Sequence, residues 1–455
     1  MHYKDKKILV VGMGKSGTAV IDELLKLGAK VSVYDGKSEE KMDRYILDIV
    51  RDNHLPAYFG REPEDMGYDG LIISPGVPLD IPLVKRAKEA DIEIIGELEL
   101  AYNLCKGKFI AITGTNGKTT TTVLTGEIFK NEGKEAYVVG NIGVAAVSKA
   151  MEASENAYMI TEVSSFQLET IKEFKPLVSA ILNVTPDHLN RHKTFNNYAE
   201  AKAQIFKNQD ENTFFIVNYD NPEAYALVKN CMAQVIPFSR KEVLEKGCFV
   251  KDDEIILKDD TRTIKVCHVK ELKIPGLHNL ENALAAAAIA YWSGISHDAI
   301  ADTLKTFEGV EHRIEYVETI QGIRFVNDSK GTNPDASIKA IEAIDTKIIL
   351  IAGGMDKGSD FEEFIGSFNN KVKYMVLLGE TAEKIKDTAC KMGFLNVIIK
   401  ENMELCVEKA FEIAQDGDTV LLSPACASWD MYPNFEARGQ HFKDCVKKLG
   451  RTLNV

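Results

Sequence analysis

Short apolar, β-branched runs alternate along the whole chain with stretches in which apolar residues recur every three or four positions. Strand-like runs fall at 7–11, 30–34 and 70–73, then at 109–113, 158–162, 178–182 and 214–217. Others follow at 323–326, 347–351, 374–378, 396–399 and 419–422, and helical patterns such as 19–27 and 281–292 lie between them. Strands without polar alternation, joined through helices, are those of parallel sheets covered on both faces. The pattern predicts an α/β chain of three domains, each a mainly parallel sheet flanked by helices. The first domain spans 1–96, the second 97–309 and the third 310–455. Residues 239–273 mix β-branched and charged positions and predict a small antiparallel excursion. No internal repeat or low-complexity tract interrupts this order.

The 455 residues suffice for about three domains. A 45% hydrophobic and 27% charged composition is that of an ordinary globular protein. The net charge of −13 argues against nucleic-acid or anionic-membrane binding, so an anionic ligand must be met by individual Lys and Arg side chains. The cysteines Cys105, Cys231, Cys248, Cys267, Cys390, Cys406, Cys426 and Cys445 form no C-x-x-C pair. Scattered single thiols fit a reducing compartment and core filling. No signal sequence or membrane-length apolar run is visible, so a cytoplasmic location is expected.

The chemistry sits at the ends of the strand-like runs. Gly114-Thr115-Asn116-Gly117-Lys118-Thr119-Thr120 follows the run 109–113 and precedes a helical stretch. Glycines let backbone N–H groups approach phosphate oxygens, and the helix start adds partial positive charge. Lys118 supplies a full charge, and Thr119 offers a hydroxyl to Mg²⁺. Ile112 stands where the strict phosphate-loop pattern has its first glycine, so the loop is a variant.

Gly12-Met13-Gly14-Lys15-Ser16-Gly17 opens the chain after a strand, and Asp35 closes the next one. Alone this suggests a nicotinamide dinucleotide site. A second loop, Ser74-Pro75-Gly76-Val77-Pro78, would lie beside it, and the pair favours a nucleotide diphosphate. Glu162 ends a strand near the phosphate loop and can hold Mg²⁺. His188, in Asn183-Val184-Thr185-Pro186-Asp187-His188, is expected to terminate a third strand of that sheet and could ligate a second metal. Lys202 lies in a helical stretch and by pattern alone reads as a surface lysine. In the third domain, polar loops at 327–334, 353–358 and 423–430 each follow a strand and are expected to converge. Lys330, Lys357 and Arg313 are typed for carboxylate or phosphate groups.

The motif from Gly114 to Thr120 resembles that of the Mur ligases, ATP-dependent amide-bond ligases of peptidoglycan precursor synthesis. So do Glu162-Val163-Ser164-Ser165-Phe166, the segment ending in His188, and His278-Asn279-Leu280-Glu281-Asn282-Ala283. His312-Arg313 and Asp328-Ser329-Lys330 complete a resemblance that covers essentially the whole chain. The segments 328–333, 423–428 and 434–439 resemble the members that add D-glutamate to UDP-N-acetylmuramoyl-L-alanine. The phosphate loop alone is shared with folylpolyglutamate synthetases, which lack a reason for the first-domain diphosphate loops.

The resemblance implies a Rossmann-like first domain that holds UDP and not NAD, a central P-loop ATPase-like domain, and a Rossmann-like third domain. It places Ser16, Asp35, Lys37, Ser74 and Gly76 on the UDP portion, with Gly36-Lys37 where the family usually has threonine and arginine. Asn141, Ser164 and His188 would meet the muramoyl-alanine portion. Gly114, Thr115, Asn116, Gly117, Lys118, Thr119 and Thr120 would hold ATP phosphates. Asn279 and Asn282 would contact adenine, with Arg313 and Asp328 completing the ATP site. Lys330, Thr332, Lys357, Ser428 and Phe435 would position D-glutamate. Lys202 would carry CO₂ as a carbamate and with His188 bind one Mg²⁺, while Thr119 and Glu162 bind the other. Lys118, Glu162, His188 and Lys202 would then be catalytic. The implied reaction phosphorylates the L-alanyl carboxylate from ATP and lets the D-glutamate amine displace phosphate. Small-molecule substrates are the expected partners, and the chain is expected to act as a monomer. A nicotinamide-dependent dehydrogenase, the rival suggested by the first glycine turn, leaves the phosphate loop and Glu162 unexplained.

Overall fold

A computed structural model describes residues 3–274, 276–355 and 359–453. Three sheets organise the chain. The first contains β1 (Lys7–Val11), β2 (Lys30–Asp35), β3 (Ala57–Phe59), β4 (Gly70–Ile73) and β5 (Glu93–Gly96) in the order β3-β2-β1-β4-β5, all parallel. The strand order reverses between β1 and β4. Their carboxyl ends therefore open the crevice where ligands of such sheets bind.

The second sheet contains β6 (Lys108–Thr113), β7 (Ala136–Gly140), β8 (Tyr158–Glu162), β9 (Val178–Ile181), β10 (Phe214–Asn218), β11 (Gln234–Ser239), β12 (Gly247–Lys251), β13 (Glu254–Lys258) and β14 (Thr263–His268). Its order is β14-β13-β12-β11-β10-β9-β6-β8-β7. The strands β12, β13 and β14 pair antiparallel, the excursion that the mixed composition of 239–273 predicts. The strand β6 lies between β9 and β8, so three loop-bearing strand ends stand side by side.

The third sheet contains β15 (Glu315–Ile320), β16 (Ile323–Asn327), β17 (Ile348–Ala352), β18 (Val372–Leu377), β19 (Val397–Ile399) and β20 (Thr419–Leu422) in the order β15-β16-β20-β17-β18-β19. Only β15 runs antiparallel. The central strands are buried along their whole length, as their uninterrupted apolar runs require.

Two compact units result: residues up to 272 together with 281–306, and residues 273–280 together with those from 307 onward. The first unit contains the first two sheets, and the helix Glu97–Leu104 joins them. Its Tyr102 ring meets Phe109 and Phe174 edge to face, at centroid separations of 5.7 and 5.5 Å, and those two rings meet each other at 5.4 Å. Burying each such ring contributes about 2 kcal/mol. Glu99 on this helix accepts the backbone N–H groups of Lys172, Glu173 and Phe174 at 2.8, 2.8 and 3.1 Å. Glu97 accepts that of Val147 at 2.7 Å. A buried carboxylate is tolerable only where such donors replace water.

All eight cysteines are free thiols, and Cys248, Cys267, Cys406, Cys426 and Cys445 are buried. Among the described residues no helix is long and apolar enough to cross a membrane.

Glu97 generates a pH prediction. Burial raises its carboxyl from 4.5 to about 7, although the backbone N–H groups of Val147 and Ala146 favour the anion. Between these values the unfolded chain releases the proton while the folded chain keeps it, so stability falls as pH rises; above about 7 the penalty is constant. Urea unfolding midpoints measured across this range should fall less for Glu97→Gln than for the unaltered protein. Equal slopes would assign the dependence to other groups.

Candidate active site

The first-sheet crevice is built from two glycine turns and one acid. Gly12 has a φ of +90°, and a Cβ there would lie 2.6 Å from Val77 Cγ2. A Cβ on Gly17 would lie 2.0 Å from the Gly12 carbonyl oxygen, so the turn admits no side chain at that position. Ser74 Oγ donates to Gly12 O at 2.8 Å and ties the two loops together. Asp35 accepts from the Met13 N–H at 2.9 Å and from the Lys37 N–H at 3.0 Å. Its carboxylate therefore fixes the turn as well as facing the crevice. Ser16 is half-buried and Lys37 exposed. Gly76 faces open space. Lys15 reaches across to the second sheet, where its amine donates to the Gly143 carbonyl.

At the end of β6 the chain turns through Gly117, at a φ of +82°, into the helix Lys118–Asn131. Lys118 Nζ folds back on its own loop and donates to the carbonyls of Gly114 and Thr115 at 2.9 and 2.8 Å. Thr119 and Thr120 are buried in the first helical turn. Asn183 holds the loop like one rung of a ladder: its Oδ1 accepts the Asn116 N–H at 2.8 Å and its Nδ2 donates to Asn116 O at 3.1 Å. The Thr115 hydroxyl lies 3.1 Å from Tyr198 OH and from Thr185 O.

Lys202 departs from its pattern-based reading as a surface residue. It is 1% exposed on the inner face of the helix Phe195–Ala203, and its amine donates to Gly114 O at 2.8 Å. Burial, then the Lys118 charge, hold this amine well below the ordinary lysine range; Asp187 pulls the other way. A neutral primary amine is a nucleophile, which a protonated one is not.

Glu162, at the end of β8, is buried. Its Oε1 accepts from Asn141 Nδ2 at 2.9 Å, and its main-chain carbonyl accepts the Asn141 N–H at 2.9 Å. Its Oε2 is buried and has no hydrogen-bond partner among the described residues. Such an orphaned oxygen beside a phosphate loop is the donor that a hard cation such as Mg²⁺ takes. Ser164 caps the short helix after β8 reciprocally with Gln167. His188 differs from the expectation of a strand terminus. The strand β9 ends at Ile181, and His188 lies on the following loop with a φ of 52°. Its Nε2 lies 3.5 Å from Asp187 Oδ2, and its ring meets Phe166 edge-on at 4.9 Å. Behind it, His192 Nε2 lies 3.0 Å from Ser165 Oγ, and burial lowers the pKa of this imidazole.

In the second unit, the loops after β16, β17 and β20 meet because those strands are neighbours. Met355 bridges to Ala427, and Ser423 Oγ donates to Asp328 Oδ2 at 2.7 Å. Asp328 is fully buried, and desolvation raises its carboxyl to about 6 against the pull of Arg313, whose Nη1 lies 3.9 Å from Oδ1. Lys330 Nζ stands 5.2 Å over the Phe435 ring. Thr332 is half-buried and Ser428 buried. Lys357 lies outside the described residues. Arg438 is buried and donates to the carbonyls of Ser329, Cys426 and Ala427, clamping two of these loops. Asn279 and Asn282 are buried on the helix Leu277–Trp292, and Asn282 Oδ1 accepts from Thr121 Oγ1 at 3.3 Å.

The sequence reading missed Asn183 as a support of the phosphate loop, and it missed Tyr198. Tyr198 and Lys202 stand four apart, on one helical face, which was the available signal for both.

Three family models match the chain in order. They are a MurD-like N-terminal domain at residues 6–96, a Mur ligase middle domain at 112–290 and a Mur ligase glutamate ligase domain at 312–426. The UDP-N-acetylmuramoylalanine–D-glutamate ligase of Thermoanaerobacter sp. (strain X514) is 52% identical over 99% of this chain and 100% of its own length. That of Clostridioides difficile (strain 630) is 50% identical over the same shares. Among solved structures, the UDP-N-acetylmuramate–alanine ligase MurC of Thermotoga maritima superposes with a TM-score of 0.60 at 19% identity, covering 97% of this chain and 99% of that one. The MurF ligase of the same organism, solved in complex with ADP, gives 0.59 at 18% identity, covering 98% and 96%. These two show the shared three-domain fold. The chain belongs to the Mur ligase family. Its full-length similarity is to the D-glutamate ligases of that family.

The Asn183 pairing generates a test. Asn183→Asp removes the donor to Asn116 O and adds a negative charge beside the phosphate loop. The KM for ATP should rise about tenfold or more while the unfolding midpoint changes little. An unchanged KM would show that the loop holds its shape without this side chain.

Proposed function

We propose that the chain joins D-glutamate to the L-alanyl carboxylate of UDP-N-acetylmuramoyl-L-alanine at the expense of ATP, through an acyl phosphate, in peptidoglycan precursor synthesis. The observation that carries the mechanism is the grouping at neighbouring strand ends of the Lys118 loop, the orphaned Glu162 oxygen and the desolvated Lys202 amine.

A carboxylate does not react with an amine in neutral water, because its oxide leaving group is too poor. Transfer of the ATP γ-phosphoryl group to the carboxylate makes that oxygen a phosphate, which the amine of D-glutamate then displaces. On this reading the domain 1–96 holds UDP through Ser16, Asp35, Lys37, Ser74 and Gly76. The domain 97–309 holds ATP through the loop 114–120, with Asn279 and Asn282 toward the base. Asn141, Ser164 and His188 hold the muramoyl-alanine portion. The domain 310–455 supplies Arg313 and Asp328 to ATP and offers Lys330, Thr332, Lys357, Ser428 and Phe435 to D-glutamate. Lys118 stabilises charge on the phosphoryl group in transfer.

Thr119 and Glu162 would hold one Mg²⁺, and His188 with a carbamylated Lys202 a second; when bound, the metal neutralises phosphate charge and polarises the transferred group. A neutral Lys202 amine adds CO₂ with loss of a proton, which turns a buried cation site into an anionic oxygen donor. A cytoplasmic location and a monomeric state complete this reading.

The reading is tested by supplying Mg²⁺, ATP, UDP-N-acetylmuramoyl-L-alanine and an amino acid. ADP release should require both acceptor substrates and prefer D-glutamate over L-glutamate; no coupled product would overturn it. Lys202→Ala should lower kcat by about a hundredfold or more, with partial return on adding a small carboxylate such as acetate. With ¹³C-bicarbonate, the unaltered protein should show a carbamate resonance that Lys202→Ala lacks. Full activity in the plain variant would remove Lys202 from the site.

A further inference from the structure

Arg191 lies just beyond His188, in the short helix Leu189–His192, and its side chain is 18% exposed. Its Nη2 donates to Glu169 Oε2 at 2.6 Å and to the main-chain carbonyl of Val77 at 3.1 Å. Its guanidinium carbon stands 5.2 Å over the Phe166 ring. Each contact leads to a different part of the proposed site. Val77 belongs to the second glycine loop of the first sheet and packs against Gly12 of the first. Phe166 belongs to the segment that follows Glu162 and meets the His188 ring. Glu169 also lies 3.6 Å from His192 Nδ1. A continuous run of contacts thus leads from Gly12 through Val77, Arg191 and Phe166 to His188.

We propose that Arg191 is a positioning residue that couples the UDP-binding loops to the catalytic loops, so that binding of the distant nucleotide orients the reacting carboxylate. This rests on the assignment of the first-sheet crevice to UDP.

Two features set Arg191 apart from an ordinary stabilising ion pair. One guanidinium nitrogen serves both an acid and a main-chain carbonyl from a different sheet. Its planar face is used at the same time against an aromatic ring, which the point charge of a lysine does not match. Energy from binding a remote group raises the rate only when something rigid transmits its position to the reacting atoms.

The test compares the unaltered protein with Arg191→Ala and Arg191→Lys. For Arg191→Ala the KM and the calorimetric Kd for UDP-N-acetylmuramoyl-L-alanine should each rise about tenfold, and kcat should fall by a similar factor. The KM for ATP should stay within about twofold, while the melting temperature falls by several degrees because a largely buried ion pair loses one partner. Arg191→Lys should restore the melting temperature but less than half of the lost substrate affinity. An Arg191→Ala protein with unchanged KM and Kd for the UDP substrate overturns the proposal, as does one whose only defect is a lowered melting temperature. Should Arg191→Ala fail to fold, Arg191→Lys decides on the same comparison. An unaltered protein that binds the UDP substrate but forms no product would refute the proposed reaction, while the change in Kd would still judge the coupling. One that does not bind it refutes both.

Discussion

Two amines share one carbonyl oxygen in this protein, and the candidate active site is organised around that fact. Lys118 and Lys202 both donate to Gly114 O, one from the phosphate loop itself and one from a helix packed beneath it. Two full positive charges cannot occupy so dry a place without an anion between or beside them. Burial, and then the charge of Lys118, push the Lys202 amine toward its neutral form. The pocket is thereby prepared for negative groups although the chain as a whole is acidic. Phosphate oxygens and a carbamate each meet that electrostatic demand, and Glu162 offers a free oxygen to a metal that would join them.

The rest of the first unit serves to keep these parts in register. The phosphate loop is held by a side-chain amide that imitates a strand partner. The Glu162 carboxylate is held by Asn141 through both side chain and main chain. The helix that joins the first two sheets is pinned by buried carboxylates on backbone N–H groups, an arrangement that spends desolvation energy to fix position. In the second unit a buried guanidinium does the corresponding work, donating to three main-chain carbonyls and to the Ser329 hydroxyl.

Much of this was legible from the chain itself. The central strands announced themselves because burial on both faces leaves no polar position, and each glycine turn lay where a strand ran out. The strands β3, β5, β7, β11 and β15 did not show themselves, for identifiable reasons. All but β11 are edge strands, in large part half-buried, and so lack the continuous apolar signal. The strand β11 contains Pro237, which reads as a breaker, yet it pairs with β10 through that residue's register position. Lys202 was hidden because a lysine's usual place is the surface, and only tertiary packing could reverse that. Asn183 and Arg191 were hidden for another reason: their partners, the Asn116 main chain for one and Val77 O, Glu169 and Phe166 for the other, are far away in sequence, and no local spacing encodes them.

The glycines of the first-sheet crevice have unequal freedom, and this bears on resistance to compounds aimed there. At Gly12 and Gly17 an added methyl would strike the protein's own atoms, so replacement would cost the fold before it troubled an inhibitor. At Gly14 and Gly76 an added methyl would meet no protein atom within 4 Å and would project into open space; on the proposed reading that space is the nucleotide's. Escape variants should therefore concentrate at the latter pair, and a compound that avoids both positions would leave the chain few ways out.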